Sequence, residues 1–249
     1  MAAAAHVAAA TSGIELLLRN ADPGAATSAE GSPWVLSTRR ADIQLEVYHA
    51  VVPGSSFLRF KAVCVVPFAP AVVAAFMGDG ARRLQWDPNV ARLDSLPVEH
   101  PPPRGRVYLL HSQTKAVGPI SSRDFVDVVA VVELPGGAHA NGGGSVVDAR
   151  LPEQRGIVRG WNSAGGGWTF VPIAPAAGAA APRRVETRVT YVIHSDLKGW
   201  LPALVVNSAI TSNYVTFFEG ALKAMAAAKL DTPESHAAAL AALEAAAAR

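Results

Sequence analysis

One helix near the C-terminal end constrains the fold most. Leu204, Ser208, Thr211, Val215, Phe218, Leu222 and Met225 recur at alternating steps of four and three, and Ile210, Tyr214, Phe217 and Ala221 form a second stripe beside them. Residues three and four apart share a helix face, so the pattern is that of one long α-helix. Two adjoining apolar stripes must be covered over more than a narrow seam. A sheet against one stripe and an enclosed space against the other would satisfy both.

Strands dominate the chain ahead of that helix. Ile43, Leu45 and Val47 alternate with Gln44, Glu46 and Tyr48, and Pro53-Gly54-Ser55-Ser56 turns the chain into a second strand over 57–63. Helical spacing returns over 69–84 through Val72, Val73 and Phe76, broken at Gly78-Asp79-Gly80. Segments 91–96, 106–114, 125–134, 145–151, 156–161, 168–173 and 184–195 read as strands punctuated by Pro or Gly. The Gly-rich run 136–144 and the Ala/Pro/Gly segment 174–182 read as loops. Residues 14–20 read as the end of a short helix and 20–31 as a linker; 236–249 reads as an alanine-rich helix with little to pack. The expected organisation is an N-terminal helix and linker (1–30), one domain (31–229) and a loosely attached tail (230–249). Helix, many antiparallel strands and a final long helix make that domain α+β, with seven to nine strands curved around the closing helix.

Composition excludes several functions. The 249 residues are half hydrophobic and carry a net charge of +2, with no basic run longer than two, which speaks against nucleic acid. Cys64 is the one cysteine and sits in an apolar run, so it reads as a buried small hydrophobe. No lysine or arginine precedes Arg19, which makes a poor secretory signal and leaves organellar targeting open. No segment approaches the roughly 18 strongly apolar residues of a membrane span. A soluble, cytoplasmic protein that can visit an anionic membrane surface is expected. The seven histidines make no metal-ligand spacing, and no dinucleotide or Walker fingerprint exists, so no metal or cofactor is implied. Gly160-Trp161-Asn162-Ser163-Ala164-Gly165 has one residue too many before the serine for a nucleophile elbow.

The strand 125–134 contains a conspicuous polar position. Alternation places Arg123, Phe125, Asp127, Val129 and Val131 on one face. Asp127 then either faces water or anchors a polar corner inside a cavity, since an ionised carboxylate in an apolar core is costly. His111 falls on the face opposite Ser112.

Four stretches occur in an order and spacing that resemble the START family of lipid-transfer domains. They are Trp86-Asp87-Pro88-Asn89-Val90, Ser122-Arg123-Asp124-Phe125-Val126, Pro152-Glu153-Gln154-Arg155-Gly156-Ile157-Val158-Arg159 and Asp196-Leu197-Lys198-Gly199-Trp200-Leu201-Pro202. The likeness covers about 34–225, and the last two stretches look most like the sterol-carrying subgroup. It implies a helix-grip fold: a bent antiparallel sheet wraps the C-terminal helix around a tunnel for one lipid. The helix and the loop 115–122 would act as the lid. Carried over by position, Ile210, Tyr214 and Phe217 line the tunnel from the helix, and Asn162 is a polar cavity residue. Such proteins work as monomers in transient contact with membranes.

One departure is informative. Where the family often has an inward arginine paired with an acid on the preceding strand, this chain has Val129 and Ser112. Losing both charges together strands neither, but it removes the usual anchor for a sterol hydroxyl or lipid phosphate. Ser112 and Asp127 remain to bond a head group. The resemblance implies a carrier of sterol, or second a phospholipid. The rival readings are a polyketide cyclase or aromatase on the same architecture and a lipid-sensing module without transfer. Trp200 and Gly118-Pro119-Ile120 are the candidates for touching a membrane.

Overall fold

A computed structural model describes residues 2–98, 106–116, 120–173 and 185–230, with the single positions 232, 237 and 241. The loop 174–182, Gly118 and Pro119, and nearly all of the tail 236–249 therefore lie outside the described residues. Helix α1 (Ala2–Ala21) leads into β1 (Val35–Arg40), β2 (Leu45–Ala50) and β3 (Arg59–Val66). Two short helices follow, α2 (Pro70–Gly78) and α3 (Gly80–Trp86), then β4 (Val90–Pro97), β5 (Arg106–Thr114), β6 (Arg123–Leu134) and β7 (Ala138–Ser145). The chain continues through β8 (Val158–Arg159), β9 (Trp161–Asn162), β10 (Gly166–Pro172), β11 (Thr187–Ile193) and β12 (Ser195–Asp196) to α4 (Ala203–Ala227).

Nine strands run antiparallel in the order β1-β2-β3-β11-β10-β7-β6-β5-β4; β8 pairs with β6 in parallel, and β9 with β12 forms a separate ribbon. The sheet is curved, and its two faces bury different cores. On the concave face, Leu45, Phe60, Ala62, Cys64, Trp168 and Phe170 meet α2 and α4. On the convex face, Ala10, Ile14 and Leu17 of α1 cover Leu109, Val126, Val128, Ala140 and Val192. The alternation along β6 sets this division, as residues 126, 128 and 130 point outward to α1 and residues 125, 127 and 129 point inward. Burial holds the Cys64 thiol up at about 12, so it stays protonated in the core.

Local signals explain the helix boundaries. Pro70 begins α2, where its missing N–H is harmless and its fixed φ suits the first turn. Asp79 caps α3 by accepting a hydrogen bond from Arg82 N at 3.0 Å, which is why the apolar run breaks at Gly78-Asp79-Gly80.

The structure corrects five expectations. The run 136–144 is not a loop: most of it is β7, an interior strand between β6 and β10. Glycine lowers strand propensity, but here close approach demands it. A Cβ on Gly143 would stand 1.8 Å from Val128 O, and one on Gly167, which pairs with Gly142 from β10 at φ +144°, would stand 2.2 Å from Asn141 O. Segment 146–151 forms no strand, because the chain turns away after Ser145. Strand β1 was not expected, since Ser37, Thr38, Arg39 and Arg40 give an edge strand with little apolar signal. The first stripe of α4 is also not uniformly covered: Phe218 and Met225 are buried, but Leu204 is 82% exposed. The N-terminal helix is longer than expected, and its Gly13 sits so close to β7 that a Cβ would meet the Gly143 backbone at 2.5 Å.

Gly143→Val is therefore expected to destabilise the fold by about 3 kcal/mol or more, with a melting temperature roughly 6–12 °C lower. Gly78→Ala, where a Cβ meets nothing within 4 Å, is the matched control and should melt close to wild type.

Candidate ligand cavity

The four sequence stretches converge at one end of β6. Arg123 at its start donates from Nε to Leu197 O at 3.0 Å, from Nη1 to Ser121 O and Oγ at 2.5 and 2.6 Å, and from Nη2 to Lys198 O at 3.3 Å. The Leu197 and Lys198 carbonyls belong to the turn that launches α4, where Lys198 and Gly199 both adopt positive φ. The next residue, Asp124, points the other way. It accepts two bonds from Arg159, at 2.9 and 2.8 Å, and one from His111 Nε2 at 2.9 Å. Arg123 thus ties β6 to the base of α4, while Asp124 ties β5, β6 and β8 together on the convex side. Further along, Asp87 accepts Arg83 Nε at 3.0 Å and Asn89 N at 3.0 Å, fixing the turn that sets Trp86 against Phe217, ring centroids 5.2 Å apart.

Between the concave face and α4 lies a cavity of about 370 Å³. That falls within the roughly 300–1,000 Å³ usual for small-molecule sites. Its apolar wall includes Leu93, Leu110, Phe125, Val129, Trp168, Ile193, Ala209, Ile210 and Phe217. Exposed Gly78 and Lys115 mark its rim. All eight positions singled out in the sequence line it: Ser112, Arg123, Asp127 and Val129 from the sheet, Asn162 from β9, and Ile210, Tyr214 and Phe217 from α4. Ile120 lines it too.

The polar corner is a connected network. Asp127 Oδ1 accepts from Ser145 Oγ at 2.6 Å, and its Oδ2 accepts from Asn162 Nδ2 at 2.8 Å. Ser145 Oγ in turn accepts from Asn162 N at 2.7 Å, and Ser195 Oγ donates to Asn162 Oδ1 at 2.6 Å. Burial pushes the Asp127 carboxyl above its ordinary value, more than these two bonds pull it down. Tyr191 is pushed up to about 12 by burial, with Asp127 adding to the shift. Tyr214 is raised by burial, and its buried hydroxyl has no hydrogen-bond partner among the described residues.

Sequence reasoning did not single out Ser145, Ser195, Tyr191, Trp168 or the Arg83–Asp87 pair. Alternation along 184–195 places Tyr191, Ile193 and Ser195 on one face, a signal that was available. Ser145 could not be found that way, because it ends a glycine strand read as a loop. His111 faces the convex side and bonds Asp124, so it does not stand beside Asp127. Among the described residues, no group of three or more His, Cys, Asp or Glu is placed to hold a metal, and no helix is long and apolar enough to cross a membrane.

The fold is a helix-grip architecture with an internal cavity, and comparison with known proteins gives its family. The START domain matches residues 25–230, so the chain belongs to the START family. It is 30% identical over 192 residues to the chicken (Gallus gallus) "Steroidogenic acute regulatory protein, mitochondrial", covering 76% of this chain and 63% of that protein. The human protein of the same name is 28% identical over 136 residues, covering 53% and 43%. The chain therefore spans less than two thirds of these relatives. Among solved structures, human StAR-related lipid transfer protein 5 superposes with a TM-score of 0.74 at 21% identity, covering 89% of this chain and 96% of that one. A StAR-related lipid transfer protein from Xanthomonas axonopodis gives 0.60 at 24% identity, covering 76% and 97%. These two establish the fold: a curved antiparallel sheet gripping a C-terminal helix.

The two aspartates predict opposite pH behaviour. Burial pushes the Asp124 carboxyl upward, but the hydrogen bonds and charges of Arg159 and His111 outweigh it and hold it below its ordinary value of 3.8. Its stabilisation is thus complete above that value and is lost as the pH falls below it. Asp124→Asn should cost about 3 kcal/mol at neutral pH, with the gap to wild type narrowing below about 3.8 in denaturant titrations. The Asp127 carboxyl is raised, so its ionisation above 3.8 weakens the empty protein. Asp127→Asn should gain stability relative to wild type as the pH rises through that window.

Proposed function

We propose that the chain binds one apolar lipid in this cavity, a sterol in preference to a phospholipid, and carries it between membranes as a single chain without catalysing a reaction. The observation that carries this reading is the apolar cavity between the sheet and α4, with the Asp127 polar network inside it, in a START domain. The names of the avian and human relatives support the sterol reading. The non-enzymatic reading is supported by the placing of His111, whose bond to Asp124 keeps it away from the one acidic group in the polar corner.

Burial of apolar surface drives binding. Covering a ligand area of about 400 Å² at roughly 25 cal/mol per Å² contributes on the order of 10 kcal/mol before the costs of association. Shape and one or two polar contacts supply selectivity. In this reading Ile210, Tyr214, Phe217, Phe125 and Val129 contact the lipid body, and Ser112, Asp127 and Asn162 meet its polar end. Arg123 holds the base of α4.

Loading requires α4 to shift. Its C-terminal half is anchored, with Phe218, Ala221 and Met225 buried; its N-terminal half meets the cavity through Ala209, Ile210 and Asn213. Just before and within its first turn, Trp200 is 95% exposed, Leu204 82% and Val205 42%. An exposed Trp beside aliphatic side chains suits a membrane interface. A membrane that bound this patch better in the open state would favour opening.

Two sets of variants separate loading from docking. Val129→Trp fills the cavity and should abolish uptake of a fluorescent sterol while leaving the far-ultraviolet circular dichroism unchanged. Trp200→Ser with Leu204→Ser should slow transfer between vesicles severalfold without changing the amount of sterol bound at saturation. Undiminished uptake by a folded Val129→Trp protein would contradict the proposed site.

A further inference from the structure

The charges around the cavity point to the chemistry of the ligand's head. Three cationic side chains line it: Arg83, Lys115 and Arg123. Arg83 is paired with Asp87. Arg123 makes its four hydrogen bonds to Ser121, Leu197 and Lys198. Lys115 lies exposed at the rim. Of the two acidic groups, Asp87 has Arg83, whereas Asp127 has only Ser145 and Asn162 as described polar partners, both neutral.

The direction of the bonds matters as much as the charge. Ser195 donates to Asn162 Oδ1, which orients the amide so that Nδ2 donates to Asp127. Asn162 N donates to Ser145 Oγ, which leaves the Ser145 proton to donate to Asp127. Every hydrogen bond in the cluster therefore runs toward the carboxyl, which is built as an acceptor with lone pairs left over. Also lining the cavity, the Tyr214 hydroxyl is buried and has no hydrogen-bond partner among the described residues.

We propose that Asp127, oriented by Asn162, Ser145 and Ser195, selects a lipid whose polar end donates a hydrogen bond, a hydroxyl or an ammonium, and rejects heads that present a phosphate. The inference rests on the carrier reading above and narrows it. A phosphodiester would bring a second negative group to the one acid that lacks a cation. A donor meets the remaining acceptor capacity directly. Asn162, Ser145 and Ser195 are positioning residues in this account, because they act on the ligand through Asp127.

The test uses the full chain and four fluorescent probes: a sterol with a free 3-hydroxyl, its 3-methyl ether, its 3-amino analogue and a phosphatidylcholine. The ether keeps the shape and the acceptor oxygen but cannot donate. The free sterol should bind about tenfold or more tightly than the ether, the usual effect of leaving a buried acceptor unmet. Phosphatidylcholine should not compete. Asp127→Leu should bring hydroxyl and ether affinities to within about twofold, while Val147→Ser, at an exposed position outside the cavity, keeps the discrimination. Tighter binding of the amine than of the hydroxyl would identify an ionised Asp127 facing ammonium; the reverse order identifies a neutral donor, and both support the proposal. Equal binding of hydroxyl and ether by wild type, or tight uptake of phosphatidylcholine, overturns it and leaves the carrier reading intact. Failure of all four probes to bind sinks both.

Discussion

The close approach of β7 to its neighbours is the constraint on which the cavity depends. Backbone stands almost against backbone where Gly143 meets Val128 and Gly167 meets Asn141, and Gly13 of α1 lies on the Gly143 backbone from the convex side. No side chain fits between these layers. Helix α4 lies along β1, β2 and β3, and the cavity opens between it and the middle strands, whose Gly142, Gly143, Gly166 and Gly167 line it. Side chains at these positions would collide with the backbone of the neighbouring strand or, for Gly13, of β7. The same place that looks featureless in composition thus sets the shape of the interior.

Polar contacts then fix which parts of the shell stay together. Arg123 and Asp124, adjacent in sequence, point to opposite faces of β6. One holds the turn before α4 through backbone carbonyls, and the other gathers His111 and Arg159 beneath α1 and the loops beside it. A buried carboxylate with three charge-assisted bonds is costly to break and so specifies the arrangement strongly. Arg123 holds α4 at its base through neutral acceptors only. Buried Val206 and the bond from Leu58 N to Asn207 Oδ1 add to the hold on its first turns.

Much of this was legible in the sequence, and the misses have physical causes. Alternation along 123–131 placed Arg123, Asp127 and Val129 on the cavity face and put Asp124 on the other, because an interior strand without a bulge obeys a strict period of two. The stripe of Ile210, Tyr214 and Phe217 likewise lines the cavity. The glycine strand was read as a loop, since propensity reports a residue's own preference and not the space its neighbours leave. Edge strand β1 was missed because solvent on one side removes the apolar pattern. The Asp127 network could not be read, as Ser145, Asn162 and Ser195 come from three separate segments and meet only through the fold.

The central claim is that the interior is a compartment for one apolar lipid. The most direct measurement is native mass spectrometry of the purified full chain, followed by organic extraction and identification of what is released. The account predicts a single adduct at one-to-one stoichiometry, a sterol or another lipid with a hydrogen-bond-donating head. A protein that is empty as purified, and that also takes up neither a fluorescent sterol nor a fluorescent phospholipid, would contradict it.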